Sequence, residues 1–110
     1  DLENRRIEDR RKDIRYKARE DVAVSISAED SDLHTNGLAL NISKGGAYVF
    51  AASIPFETGI VTFRFKDGGS IQRRCRRIDP HLHKARGQAV AFLEDLLDKE
   101  LEAIKAPIPE

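Results

Sequence analysis

The sequence contains no methionine, a single cysteine at Cys75 and no long apolar run. One cysteine cannot form an internal disulfide, so we expect a reducing, cytoplasmic compartment. No stretch approaches the roughly 20 apolar residues that a membrane span needs, which argues against membrane insertion, and no signal-peptide pattern opens the chain. Because methionine is absent, we expect Asp1 not to be a native start and the chain to be a fragment or a processed product.

The sequence also has no net charge of either sign, because 19 Lys and Arg residues balance 19 Asp and Glu residues in a chain of 110. The length suits one domain, and the zero sum argues against a coat on polymeric nucleic acid. The balance does not hold locally. From residue 5 to residue 15 there are six basic and three acidic residues: Arg5, Arg6, Arg10, Arg11, Lys12 and Arg15 against Glu8, Asp9 and Asp13. This cationic excess suits a small dianion.

Residues 1–20 are nearly all charged, and the remainder of the chain has the alternation of β-strands. The first segment has too little apolar surface to offset its ordering entropy, so we predict a flexible N-terminal arm. Six strands are predicted in the domain at residues 21–110: residues 22–27, 38–42, 48–50, 61–66, 70–78 and 88–92. Their short, regular spacing favours an antiparallel barrel or sandwich.

Alternation also predicts which side chains are buried. Val22, Val24 and Ile26 form one apolar face, and Leu38, Leu40 and Ile42 repeat the pattern. Asp67-Gly68-Gly69 predicts a tight hairpin turn.

A C-terminal helix is predicted at about residues 94–106, followed by Pro107 and Pro109. Its apolar residues recur at steps of three and four and form one stripe: Leu93, Leu96, Leu97, Leu101 and Ile104. Such a stripe covers either an open mouth of the barrel or a partner chain.

Two short motifs carry the chemistry. The first, at residues 10–16, is rich in arginine, whose planar fork fits the acceptors of guanine or clamps a phosphate. The second, at residues 41–46, is a polar turn with a side-chain amide, a hydroxyl and glycines that let backbone N–H groups approach an anion. Each is half of a plausible nucleotide site.

Together the two motifs resemble the signature of the PilZ family of bacterial cyclic di-GMP receptors, RxxxR followed by [D/N]xSxxG. Arg11 and Arg15 match the first element, and Asn41, Ser43 and Gly46 match the second. Residues 87–93 resemble the last strand of that family. The resemblance implies a six-stranded antiparallel barrel of the PilZ-like, split-barrel type with a C-terminal amphipathic helix.

The resemblance also implies roles for these residues. Arg11 and Arg15 clamp guanine edges and phosphates, Asn41 and Ser43 read and orient the ligand, and Gly46 keeps the turn open, with Gly45 beside it. In the family, an arginine at the position of Arg10 accompanies two intercalated ligand molecules, so we predict a cyclic di-GMP dimer. Arg77 matches a strand arginine that faces the ligand and is a lower-ranked candidate.

The function predicted from these features is that of a non-enzymatic second-messenger receptor. Ligand binding orders the arm and changes a surface that an effector protein or fused domain recognises, with motility, biofilm or exopolysaccharide as the output. The alternative is a ligand-free module of the same fold that docks a partner protein. Binding of single-stranded nucleic acid is disfavoured because aromatic residues are only 6% of the chain.

Other chemistries find weaker support in the sequence. His81 and His83 lack a third clustered ligand, so we expect no metal site. Cys75 is interpreted as a small buried hydrophobe. Ser43 has no credible base partner, which gives a hydrolase no support.

Overall fold

The computed structural model describes residues 14–52, 55–78 and 88–106. These residues form seven strands and one helix. The strands are β1 (Tyr16–Lys17), β2 (Ala23–Ala28), β3 (His34–Ser43), β4 (Gly46–Ala51), β5 (Thr58–Arg64), β6 (Ser70–Arg77) and β7 (Gln88–Phe92), and the helix is α1 (Asp98–Ile104). Among the described residues, no helix is both long and apolar enough to cross a membrane.

Strands β2 to β7 close into a six-stranded antiparallel barrel. The order around the barrel is β3-β2-β5-β6-β7-β4, and pairing of β4 with β3 closes it. The short strand β1 adds to the free part of β3 beyond β2. The predicted six-stranded antiparallel barrel is therefore confirmed, and so is the hairpin at Asp67, where Gly68 has a φ of +97° and Asp67 Oδ1 accepts the Gly69 N–H at 2.9 Å.

The core fills the interior of this barrel. Alternate side chains of the strands point inward and are buried, as the predicted face of Val22, Val24 and Ile26 requires. The rings of Phe63 and Phe92 meet edge to face, with centroids 6.1 Å apart. The other members of the core include Ile42, Val49, Val61, Cys75, Val90, Leu96, Leu101 and Ile104.

Strand β3 departs from simple alternation, and the predicted burial of Leu38 and Leu40 is wrong. Their side chains are 46% and 45% exposed, whereas Ile42 is fully buried. The pairing of β3 with β4 shifts register between Ala39 and Asn41, so Leu40 forms a bulge. A bulge inserts one extra residue, which reverses the faces on its two sides. Ala39 therefore points inward before the bulge and Ile42 after it.

Helix α1 is shorter than the predicted helix at residues 94–106. It begins at Asp98, and the extended Leu97 precedes it as the N-cap. Leu101 and Ile104 are buried from the predicted stripe, as is Leu96 before the helix, but Leu93 and Leu97 are about half exposed. The residues before Asp98 are instead held by strand-like hydrogen bonds, such as Leu93 N–H to Arg74 O at 2.9 Å.

The helix is fixed against the barrel by a largely buried ion pair. Arg73 Nη2 on β6 donates to Glu100 Oε1, and both side chains are less than one fifth exposed. The same carboxylate oxygen accepts the Leu97 N–H at 2.7 Å, which caps the first turn of α1. One side chain thus joins the start of the helix to the sheet.

Strand pairing begins at Tyr16, within the segment that the sequence predicts as the arm. Tyr16 and Lys17 pair with Ile42 and Asn41 of β3, and Ala18 is buried. The Lys17 carbonyl accepts the Ala106 N–H at 2.7 Å, and Lys105 Nζ lies 4.4 Å from the centroid of the Tyr16 ring. Backbone pairing with two elements orders this end of the predicted arm despite its charge. Residues 1–13 lie outside the described residues.

Candidate functional site

A cleft of about 230 Å³ on the barrel surface joins the two sequence motifs. Arg15 comes from the first motif, and Asn41, Ser43, Gly45 and Gly46 come from the second. The remaining lining residues are Ala47, Ile78, Ala89, Val90 and Ala91. These five predicted site residues, which come from the chain just before β1 and from the end of β3, the turn and the start of β4, therefore meet at one place.

Strand register explains why the motif residues share an outward face. Ile42 pairs with Ala47, and both are buried in the barrel. Because successive side chains alternate, the neighbouring pair of Ser43 and Gly46 faces outward. Asn41, opposite Tyr48, lies on the same outer face.

The floor of the cleft is built from small residues of β4 and β7. Gly46 pairs with Ala91, and Tyr48 pairs with Ala89. Sequence reasoning did not identify Ala89 or Ala91, although the alternation around buried Val90 was a signal for their outward direction. Small side chains keep the floor free of long projecting groups, which leaves room in the cleft for a planar base.

Gly46 is required by close packing between strands. A Cβ atom at this position would lie 2.5 Å from the Val90 carbonyl oxygen of β7. That separation is too short for any side chain, so a substituted residue would push β4 away from β7. The glycine of the second motif therefore keeps β4 and β7 close together and the floor of the cleft intact.

The polar side chains of the cleft differ in whether they already form hydrogen bonds within the protein. The Ser43 hydroxyl donates to the Gly46 carbonyl at 3.2 Å across the turn, which leaves its oxygen as an acceptor. The Asn41 amide and the Arg15 guanidinium make no side-chain hydrogen bond to any described residue, and Arg15 is exposed. One donor-acceptor amide and one cation are thus available to a ligand.

The turn between β3 and β4 is fastened to the segment that leads into α1. The Lys44 carbonyl accepts the Leu96 N–H at 2.9 Å, and the Gly45 carbonyl accepts the Phe92 N–H at 2.8 Å. Lys44 Nζ lies 2.8 Å from Asp98 Oδ1. The hydrogen bond from Lys44 lowers the pKa of the Asp98 carboxyl, and the same contact raises the pKa of Lys44. These contacts position the turn before any ligand arrives.

Not every predicted site residue reaches the cleft. Arg10 and Arg11 lie outside the described residues, and so do His81 and His83. Arg77 pairs with Val90, whose side chain points into the barrel, and Arg77 does not line the cleft. In the described part of the chain, no three His, Cys, Asp or Glu residues cluster as metal ligands.

Two larger concavities lie elsewhere on the surface and contain neither motif. One, of about 500 Å³, is bordered by Ile60, Arg74 and Leu93, and the other, of about 560 Å³, by Phe65 and Asp67 among others. In the first, Arg74 is already paired with Glu29 at 2.6 Å. The smaller cleft is the better candidate because polar groups from two distant segments converge on it. No protein-family profile, curated protein or solved structure matches this chain.

Proposed function

We propose that the protein is a cyclic di-GMP receptor of the PilZ type and that the cleft is its ligand site. The observation that carries this proposal is the convergence of Arg15 with Asn41, Ser43, Gly45 and Gly46, which are separated by some 26 residues in sequence, around one outward-facing cleft. The signature of the family requires these residue types to act together. Their shared position is what such a receptor needs.

The chemistry of the cleft suits a guanine nucleotide. The Arg15 guanidinium offers several N–H donors to a phosphate or to the O6 and N7 acceptors of guanine. The Asn41 amide donates and accepts, so it can pair with a base edge, and the hydroxyl oxygen of Ser43 is an acceptor. The floor of Gly46, Ala89 and Ala91 leaves room for a planar ring.

In the proposed receptor, ligand binding changes a surface that a partner recognises. Arg10 and Arg11 lie five and four residues before Arg15, so a bound dianion draws these cations of the arm toward the barrel turn. The arm then presents a new surface beside the cleft to an effector protein or a fused domain. Arg10 supports an intercalated ligand dimer, because its guanidinium can stack on guanine and neutralise a second phosphate. No bond is made or broken.

Titration calorimetry with cyclic di-GMP tests the proposal directly. We expect the protein to bind, with a stoichiometry of two ligands per chain, and Arg11→Ala, Arg15→Ala and Asn41→Ala each to weaken binding by about tenfold or more. Arg64→Ala is the matched control, because Arg64 is an exposed arginine on β5 that does not line the cleft. Absence of binding to the unmodified protein would refute the proposal, and one ligand per chain would refute the dimer alone.

A second candidate function is a ligand-free module that docks a partner protein. The observation in its favour is an apolar surface on β3 and β4, where Leu38 pairs with Phe50 and both side chains are about half exposed. Exposed apolar neighbours often mark interaction surfaces. This candidate predicts no heat of binding with cyclic di-GMP, so the same titration separates the two.

A further inference from the structure

The four arginines that flank Cys75 on β6 are not equivalent. Arg73 pairs with Glu100 of the helix, and Arg74 donates from Nε to Glu29 Oε1 at 2.6 Å. Both guanidinium groups are therefore committed to carboxylates of the same chain. Neither residue lines the cleft.

The remaining two arginines, Arg76 and Arg77, face opposite sides of the sheet. Arg77 pairs with the buried Val90 and has an interaction of its own. Arg76 pairs with Ala91, which lines the cleft, and its side chain is exposed. Within the described part of the chain, no ion pair or side-chain hydrogen bond engages Arg76.

Register places Arg76 at the end of a row that crosses the cleft. Arg76 pairs with Ala91, Ala91 pairs with Gly46, and Gly46 pairs with Ser43. On the far side of Ser43 lies the N-terminal end of β1, where Tyr16 pairs with Ile42 and Arg15 precedes Tyr16. The row therefore has an arginine at each end and only small side chains between them.

This arrangement fits a ligand with two separated negative charges. Adjacent strands lie about 4.8 Å apart, so four strand intervals place the two arginine backbones roughly 19 Å apart along the curved surface. The long side chains of Arg15 and Arg76 can extend toward each other over Gly46 and Ala91, whose small size offers no steric obstacle. A cyclic dinucleotide carries two phosphates on one ring, and a guanidinium binds phosphate through paired N–H donors.

We propose that Arg76 is a ligand-binding residue of the cleft and contacts one phosphate of the cyclic dinucleotide from the β6 side, opposite Arg15. The inference rests on the proposed function and adds a residue that neither motif contains. It also replaces Arg77 as the strand arginine that faces the ligand. Neither arginine lines the cleft itself, but Arg76 pairs with Ala91 and shares the outer face with the floor of the cleft, whereas Arg77 pairs with the inward-facing Val90.

Titration of cyclic di-GMP against three arginine variants tests this assignment. We expect Arg76→Ala to weaken binding by about tenfold or more, as loss of a charge-assisted contact does. Arg77→Ala and the control Arg64→Ala should keep the affinity within about twofold. Circular dichroism checks that each variant is folded, and Arg76→Gln, which keeps a polar side chain of similar length, provides a second measurement at the same position.

The outcomes separate this inference from the proposed function. If the unmodified protein binds and both Arg76 variants bind equally well, the role of Arg76 is overturned while the receptor function stands. Loss of binding in Arg77→Ala with retention in Arg76→Ala also overturns it and restores the residue suggested by the family resemblance. If the unmodified protein does not bind cyclic di-GMP, the proposed function fails and this inference fails with it.

Discussion

Cys75 is a thiol placed where it has no access to solvent. Its side chain is fully buried between β5 and β7, where Cys75 pairs with Gly59 and Phe92. Burial raises the pKa of the thiol from 9.0 to about 11, with a further contribution from the charge of Glu29. The thiolate is therefore scarce at neutral pH, and the residue acts as a small core hydrophobe.

The raised pKa of Cys75 predicts a loss of stability in alkali. Between pH 9 and pH 11 the unfolded chain has released the thiol proton and the folded chain still holds it, so the free energy of unfolding falls as pH rises. The contribution of this one group is about 2 kcal/mol across that window. Urea denaturation at several pH values measures it.

Cys75→Ala supplies the control for this pH dependence. The variant loses packing at every pH, but it lacks the titrating group. We therefore expect the difference in unfolding free energy between the two proteins to shrink as pH rises from 9 to 11. Parallel curves over that range would show that the thiol does not titrate differently in the folded state.

At the scale of elements, the bulge in β3 is the feature that shapes the site. It turns Leu38 and Leu40 outward and still lets Ile42 enter the core. The Leu40 carbonyl accepts the Ala18 N–H at 3.3 Å, so the bulge also receives the chain that follows β1. Without this register shift, Asn41 and Ser43 would face the interior and could not line the cleft.

The bulge predicts unequal losses of stability for truncation of two aliphatic residues two positions apart. Leu40→Ala removes a side chain that is 45% exposed, so we expect it to cost less than about 1 kcal/mol. Ile42→Ala opens a cavity in the core and should cost about 2–5 kcal/mol. Urea denaturation of the two variants gives the comparison. Similar losses would mean that β3 alternates without a bulge.

At the scale of the whole molecule, α1 and the segment before it close one end of the barrel. Leu96, Leu101 and Ile104 are buried in the same core as the strands. The Ile104 carbonyl accepts the Arg19 N–H at 2.9 Å, which joins the helix to the chain after β1. The segment also contacts the turn of the cleft through Lys44 and Gly45. Helix α1, the chain after β1 and the candidate site are therefore parts of one packed unit.

The two ion pairs that join the helix to the barrel, Arg73 with Glu100 and Lys44 with Asp98, are expected to contribute unequally to this closure. Glu100→Gln leaves the largely buried Arg73 without its counter-charge, and Arg73 Nε already lacks a partner among the described residues. We expect a loss of about 2 kcal/mol in the free energy of unfolding. Asp98→Asn removes an exposed pair with Lys44 and should leave stability unchanged within error. Thermal or urea denaturation of the two variants measures both losses of stability. Equal losses in Glu100→Gln and Asp98→Asn would contradict the expected difference.

Short patterns of neighbouring residues are sufficient to predict much of the architecture from the sequence. Alternating apolar residues predict strands because neighbouring side chains of a strand point to opposite faces, and Asp67-Gly68-Gly69 predicts its turn because glycine accepts a positive φ. The residue types of the second motif likewise predict a polar turn between two strands. These features depend on residues that are close in sequence, so they could be read without knowing the fold.

The tertiary structure decided which face each residue occupies and which distant segments meet. The outward direction of Leu40 depends on a register shift against β4, and the late start of the helix depends on backbone hydrogen bonds from Leu93 to Arg74 and from Leu96 to Lys44. The position of Arg76 beside the cleft, with Arg77 on the other face, depends on pairing with β7. Backbone pairing with a neighbouring strand sets all of these, and a shift of one residue in that pairing exchanges the faces of a whole strand.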